Sequence, residues 1–135
     1  MPRSAHEPPE ADTPVPGQGL ATLAEALYIV NLLLLPGLAF LVLLVVYVRN
    51  IHSAPALAVC HLRQTLSASL WAGVLLLVAN IIFVLLGGYQ SPDTWVVVVI
   101  YFTSCHATLV LLGVLGLAKA MAGQCYRFPL VGRPL

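Results

Sequence analysis

Leu-Ala-Phe-Leu-Val-Leu-Leu-Val-Val, at residues 38–46, contains no residue that could form the polar face of a helix at the surface of a soluble protein. This run belongs to the first of three windows without a charged side chain: residues 26–48, 64–92 and 94–118. A bilayer core about 30 Å thick needs roughly 20 apolar helical residues. The sequence therefore predicts an all-α membrane protein with three transmembrane helices, at about residues 26–48, 64–88 and 95–119.

The composition of the 135-residue chain supports the same class. Hydrophobic residues make up 60% of the chain and charged residues 8%, and the mean hydropathy is +0.96. Soluble domains contain about 25% charged residues. The net charge of +1 leaves no basic patch of the density that nucleic acid requires. We therefore expect the lipid bilayer as a partner, and no nucleic acid.

The first residues differ from the rest of the chain, because five prolines and three acids fall before Gly19. Such a segment buries too little apolar surface to offset its ordering entropy. We predict a disordered acidic, proline-rich tail at residues 1–21 and a three-helix transmembrane domain at residues 22–135. The tail lacks the basic and apolar regions of a signal peptide. The first helix is expected to open at Thr22, with Glu25 completing a capping box.

The distribution of Lys and Arg predicts the orientation of the chain. Two arginines lie between the first and second spans, three basic residues follow the third span, and the loop at residues 88–94 has none. Basic residues favour the cytoplasmic side. The prediction is an N-terminus outside and a C-terminus in the cytoplasm of a multi-pass protein of the bacterial inner (plasma) membrane.

Polar residues inside the spans should hydrogen-bond across helices, because an unpaired polar group in hydrocarbon is costly. Their functional interpretation is a proton or ligand site, and the alternative, which we favour, is interhelical stabilisation. The predicted interhelical polar cluster consists of Asn31, Asn80, Thr103, Ser104 and His106.

Two Cys-His pairs, at residues 60–61 and 105–106, raise the possibility of a zinc or haem site. His61 is expected at the cytoplasmic face and His106 near the middle of the membrane, roughly 15–20 Å apart at about 1.5 Å per residue. This separation argues against a shared site, and we expect neither a metal nor a cofactor. Cys60 and Cys125 are expected to face the reducing cytoplasm, so no disulfide is required.

Pro36-Gly37 predicts a kink near the middle of the first span. Small residues also recur at helical spacing, which lets helices approach closely. They suit closure of the bundle and contact with a partner protein equally well. These small-residue packing faces comprise Ser69, Gly73, Gly113, Gly116, Ala120 and Gly123.

Two further motifs carry a resemblance to a known family. His61-Leu62-Arg63-Gln64 leads into the second span, and Ala118-Lys119-Ala120, Gly123 and Tyr126-Arg127-Phe128-Pro129-Leu130 follow the third. Together they resemble small bacterial membrane proteins of unknown function related to the Tic (chloroplast inner-envelope import) subunit family. The resemblance covers roughly residues 23–131, but Thr65 to Ala68 stand where the family usually has Ala-Leu-Asn-Phe. It implies a three-helix bundle with a role in the assembly of, or transport by, a membrane complex. The possible partner surface at the cytoplasmic face consists of His61, Arg63, Gln64, Tyr126, Arg127 and Pro129.

The sequence contains no phosphate-binding loop, no paired carboxylates and no Ser-His-acid set. We therefore expect that the protein is not an enzyme. The predicted function is a non-enzymatic accessory or assembly subunit of a larger inner-membrane complex, with other integral membrane subunits as partners. One alternative is a small oligomeric transporter or channel component. The other is a haem- or metal-binding electron-transfer subunit.

Overall fold

The computed structural model describes residues 13–129, and this part of the chain is helical, without strands. Four α-helices follow one another: α1 (Gln18–Leu33), α2 (Leu38–Asn50), α3 (Ala56–Leu85) and α4 (Pro92–Met121). A short 3₁₀ turn, Gly88–Gln90, connects α3 to α4. Both α3 and α4 have 30 residues and are therefore about 45 Å long.

Within the described residues, two helices, α3 and α4, are long and apolar enough to cross a membrane. The prediction of three spans is wrong at the first of them. Residues 26–48 are divided between α1, with 16 residues, and α2, with 13. Helices of these lengths measure about 24 and 20 Å, which is less than the hydrocarbon thickness of about 30 Å.

The chain reverses direction between α1 and α2, where the sequence predicted only a kink. Pro36 cannot donate a backbone hydrogen bond. Gly37 has a φ of +87°, which residues with a Cβ rarely adopt. Asn31 Oδ1 accepts a hydrogen bond from the Gly37 N–H at 2.9 Å. Ala24 of α1 consequently packs in one cluster with Leu43 of α2. In a continuous helix these residues would be about 28 Å apart. The two helices therefore form a hairpin.

Helix α1 packs between α3 and α4, and small residues make this possible. Ala21 of α1 shares a buried cluster with Leu57 and Ala120. A Cβ at Gly113 would lie 2.8 Å from the Tyr28 ring, and one at Gly123 would lie 2.7 Å from Val15. These residues of α4 and its end thus pack against the N-terminal part of the same chain. On α3, Ser69 is buried, whereas Gly73 has open space beside it.

The beginning of α1 lies beside the end of α4 and the beginning of α3. Gln18 Nε2 donates to the Met121 carbonyl at 2.5 Å. A Cβ at Gly17 would contact both Pro55 and Ala58 at 3.1 Å. This packing does not agree with the predicted placement of the two ends of the chain on opposite sides of a membrane. We call this end of the molecule, formed by residues 15–18, 51–58 and 119–129, the terminal end.

Candidate functional site

A fully buried Glu-His pair joins α1 to α3 near the terminal end. His61 Nδ1 lies 2.5 Å from Glu25 Oε1, and both side chains have no solvent exposure. Glu25 was predicted to cap α1, but that helix begins at Gln18, seven residues earlier. The carboxyl group therefore lies well inside the helix and faces α3.

Hydrogen-bond chemistry limits the protonation of this pair. His61 Nε2 contacts the Gln124 carbonyl at 2.9 Å, and a carbonyl can only accept, so Nε2 must donate. One further proton is then shared between His61 Nδ1 and Glu25 Oε1. Whichever atom holds it, the pair has no net charge, which lowers the cost of removing it from water.

Gln64, one helical turn after His61, extends the network to the segment that follows α4. Its Nε2 donates to Glu25 Oε1 at 3.0 Å, and its Oε1 accepts from the Phe128 N–H at 3.1 Å. Phe128 is buried, and its ring packs 5.7 Å from the ring of Tyr28. We call residues 122–129 the C-terminal strap, because they cover the Glu-His pair.

A disulfide between Cys60 and Cys125 ties the strap to the first turns of α3, across 65 residues of sequence. This corrects the expectation that the cysteines need no bond. The two residues adjacent to these cysteines, His61 and Gln124, share the Nε2 hydrogen bond. The covalent bond and the polar network thus hold the same two segments together.

Glycine at position 116 provides the space for the second carboxylate oxygen. Glu25 Oε2 is buried and has no hydrogen-bond partner among the described residues. A Cβ at Gly116 would lie 2.5 Å from this oxygen. The network therefore depends on α4 as well, because Gly116 has no side chain that would occupy the space of Glu25 Oε2.

The predicted partner surface is divided by this arrangement. His61 and Gln64 are 0% and 2% exposed, so they belong to the interior and offer nothing to a partner. The four other residues of the predicted surface are at least partly accessible: Arg63, Arg127 and Pro129 are exposed, and Tyr126 is half-buried.

The predicted polar cluster does not come together as one group. Asn31 and His106 line the same cavity, of about 540 Å³, between the hairpin and the middle of α3 and α4. Asn80 instead accepts a hydrogen bond from the Tyr89 hydroxyl at 2.5 Å, near the other end of the molecule. Thr103 and Ser104 are exposed.

The residues that could bind a metal are dispersed. Among residues 13–129, no group of three or more His, Cys, Asp or Glu side chains is close enough to hold an ion. Both ring nitrogens of His61 are engaged by Glu25 and Gln124. Haem or metal ligation by His61 would require the network to open.

The sequence motif contained His61 and Gln64 but did not connect them to Glu25. The sequence signal that points to Glu25 is its isolation, because it is an acid at the edge of an otherwise charge-free window.

No protein family, curated protein or solved structure matches this chain. The resemblance to the Tic-related proteins therefore stays a prediction.

Proposed function

We propose that the chain is an integral protein of the bacterial inner membrane and acts as a non-enzymatic accessory or assembly subunit of a larger complex. The outer surfaces of α3 and α4 support the membrane location. Only 22% and 17% of the residues in their most apolar windows are buried. The core helix of a soluble protein would be mostly buried, and contiguous apolar surface of this extent favours lipid or protein contacts.

In this proposal, α3 and α4 span the bilayer, and the hairpin of α1 and α2 enters it only partway. The tip of the hairpin carries exposed apolar side chains, including Leu34 at 72% and Leu38 at 59%. Apolar side chains at the tip suit the hydrocarbon layer. The reversal at Pro36 and Gly37 brings the chain back to the side from which it entered.

The terminal end is proposed to face the cytoplasm. Lys119 and Arg127 belong to this end and Arg49 and Arg63 lie within a few residues of it in sequence, whereas the loop at residues 86–91 has no basic residue. This asymmetry follows the positive-inside rule. The Cys60–Cys125 disulfide would then face a reducing compartment, in which such bonds are usually transient.

The observation that carries the non-enzymatic function is the closure of the Glu-His pair. Glu25 and His61 are an acid and a base in direct contact, but both are fully buried, and they are hydrogen-bonded to each other and, through His61, to the strap. A general acid or base must reach a substrate. Their chemistry is used instead to join α1, α3 and the strap. Arg63 and Arg127 are exposed beside this network and are accessible to a partner.

The test is the native assembly of the tagged protein. Membranes are extracted in mild detergent, and the bands of a native gel are identified by mass spectrometry. We expect co-migration with one large complex at fixed stoichiometry. The double variant Arg63→Ala/Arg127→Ala should weaken this co-migration, whereas Arg49→Ala, a change of another exposed basic residue, should preserve it. Recovery of the wild-type protein only as a monomer or a small homo-oligomer would contradict the proposal.

A transporter or channel component is the second candidate, and the cavity favours it. Asn31 and His106 bring polar groups to the middle of the α3–α4 pair. A defined homo-oligomer in the same native gel, without other subunits, would favour this candidate over the first.

A further inference from the structure

The C-terminal strap has no regular structure beyond Gly123, whose φ of +68° marks the end of α4. Among the described residues, two hydrogen bonds hold the backbone of the strap against α3. His61 Nε2 donates to the Gln124 carbonyl at 2.9 Å. The Phe128 N–H donates to Gln64 Oε1 at 3.1 Å. A segment with so few contacts opens locally at a lower free energy than a packed helix does.

The Cys60–Cys125 disulfide joins the strap to α3 between these two hydrogen bonds. Cys125 directly follows Gln124, and Phe128 comes three residues later. Cys125 is exposed and Cys60 is half-buried, so a thiol can approach the bond while the helices stay packed. Exposed disulfides are more easily reduced and include the regulatory ones. The position of this disulfide therefore suits control of the strap.

The packing of the four helices does not depend on the strap. Ala21, Leu57 and Ala120 form one buried cluster, and a second cluster joins α1, α2 and α3. Neither of these two clusters contains a residue of the strap. The strap adds the ring of Phe128, which is buried against Tyr28. Release of the strap would therefore uncover the Glu-His pair and leave the helices associated.

We propose that the Cys60–Cys125 disulfide is a redox switch, and that its reduction by a dithiol releases the strap while the four helices stay packed. In the released state, His61 Nε2 and Gln64 Oε1 lose the backbone groups that they bind in the closed strap and become accessible. The proposal concerns this chain alone and is independent of the accessory-subunit function.

The reaction is a thiol–disulfide exchange in two steps. One thiolate of the dithiol attacks Cys125 Sγ, the bond between the two cysteines breaks, and the electron pair leaves with Cys60 Sγ, which takes a proton from water. The second thiolate of the reductant then attacks the reductant's own sulfur in the mixed disulfide and expels Cys125 Sγ, which is protonated in turn. The reductant ends as a cyclic disulfide, and each cysteine gains one electron and one proton.

The test compares amide hydrogen exchange of the full-length protein in phosphatidylcholine nanodiscs with and without dithiothreitol. Alkylation of a parallel sample with iodoacetamide counts the thiols that form. We expect exchange of the strap to become about tenfold faster or more on reduction, whereas α1, α3 and α4 keep their protection. Phe128 reports most directly, because its N–H is bonded to Gln64 in the closed strap.

Two serine variants repeat the comparison without a reductant. Cys60→Ser/Cys125→Ser cannot form the disulfide and should show the released strap whether or not dithiothreitol is present. Cys105→Ser changes the free cysteine of the described chain and should respond as the wild type does. Diethyl pyrocarbonate modifies accessible histidines. Without a reductant, it should modify His61 in the double variant but not in Cys105→Ser, and the exposed His52 serves as an internal standard in both.

Three results would overturn the proposal. If thiols form but exchange of the strap is unchanged, the noncovalent contacts alone keep the strap closed. If dithiothreitol produces no thiols in the folded protein, the disulfide is not accessible to a reductant. If α1 and α3 lose protection together with the strap, the disulfide stabilises the whole bundle and does not control one segment. Circular dichroism verifies that the double variant is folded, and the wild-type measurement does not depend on that variant.

Discussion

At the scale of single residues, Glu25 holds more of the structure together than any other acid of the described chain, because its Oε1 is hydrogen-bonded to both His61 and Gln64. Glu25→Ala leaves His61 Nδ1 and Gln64 Nε2 buried without this hydrogen-bond partner. Breaking a buried pair in this way costs about 3–5 kcal/mol. We expect a strongly lowered melting temperature, measured in detergent by circular dichroism.

Matched variants separate this loss from a general effect of charge. Asp93→Ala removes an exposed acid from the first turn of α4 and should cost about 0.3–1 kcal/mol. Glu25→Gln keeps one acceptor oxygen and should fall between the two alanine variants. If Glu25→Ala melts at the temperature of Asp93→Ala, the Glu-His pair does not stabilise the fold.

Two helical glycines that look equivalent in the sequence should respond in opposite ways to alanine. A Cβ at Gly116 would lie 2.5 Å from Glu25 Oε2, so Gly116→Ala overpacks the network and should destabilise by about 1–3 kcal/mol. A Cβ at Gly73 meets nothing within 4 Å. Gly73→Ala should therefore stabilise α3 by up to about 1 kcal/mol. Chemical unfolding of both variants measures the difference, and equal effects would refute the proposed contact between α1 and α4.

At the residue scale, sequence spacing predicts which side chains share one face of a helix, but not which other helix they contact. His61 and Gln64 stand three residues apart, which places them on one face of a helix. The sequence does not show which helix faces them, and the motif therefore predicts an exposed surface for both residues. Their partner Glu25 is 36 residues away from His61, and Gly116 is 91 residues away from Glu25. Only the tertiary packing connects these positions.

At the scale of helices, the length of a charge-free window did not reveal whether the window forms one helix or two. Helices α3 and α4 lie close to two of the predicted spans, because Pro55 and Ser91 precede them and no residue interrupts them. The first window contains Pro36-Gly37, which is compatible with a kink and with a reversal. The packing of Ala24 against Leu43 decides for the reversal, and this is a tertiary contact.

The hairpin can be tested by cross-linking. In a Cys105→Ala background, Ala24→Cys and Leu43→Cys should form a disulfide with each other under mild oxidation, with the native disulfide kept intact. A continuous helix would hold the two positions about 28 Å apart, far beyond the Cα separation of about 4.4–6.8 Å that a disulfide requires. Val45→Cys, on the exposed side of α2, is the control partner for Ala24→Cys and should react less. Peptide mass spectrometry identifies the joined residues. Failure of the Ala24–Leu43 pair to cross-link would restore a single first span.

At the scale of the whole molecule, the hairpin changes the topology that the sequence predicted. With three spans, the chain before α1 lies on the same side of the membrane as the loop at residues 86–91. With a hairpin and two spans, it lies on the side of the α2–α3 loop, in agreement with the contacts of Gly17 with Pro55 and Ala58. The four Lys and Arg residues of the described chain, Arg49, Arg63, Lys119 and Arg127, are then on that same side, and the loop at residues 86–91 has none.

Three single cysteine variants distinguish these topologies. Thr13, Ser53 and Ser91 are exposed and lie before α1, between α2 and α3, and before α4. In sealed membrane vesicles of known orientation, a thiol reagent that cannot pass membranes should label Thr13→Cys and Ser53→Cys from the cytoplasmic side and Ser91→Cys from the opposite side. Labelling of Thr13→Cys together with Ser91→Cys would mean that the first window spans the bilayer. If all three positions react from the sides opposite to those expected, the hairpin stands but the terminal end faces the oxidising compartment, where the Cys60–Cys125 disulfide would be permanent.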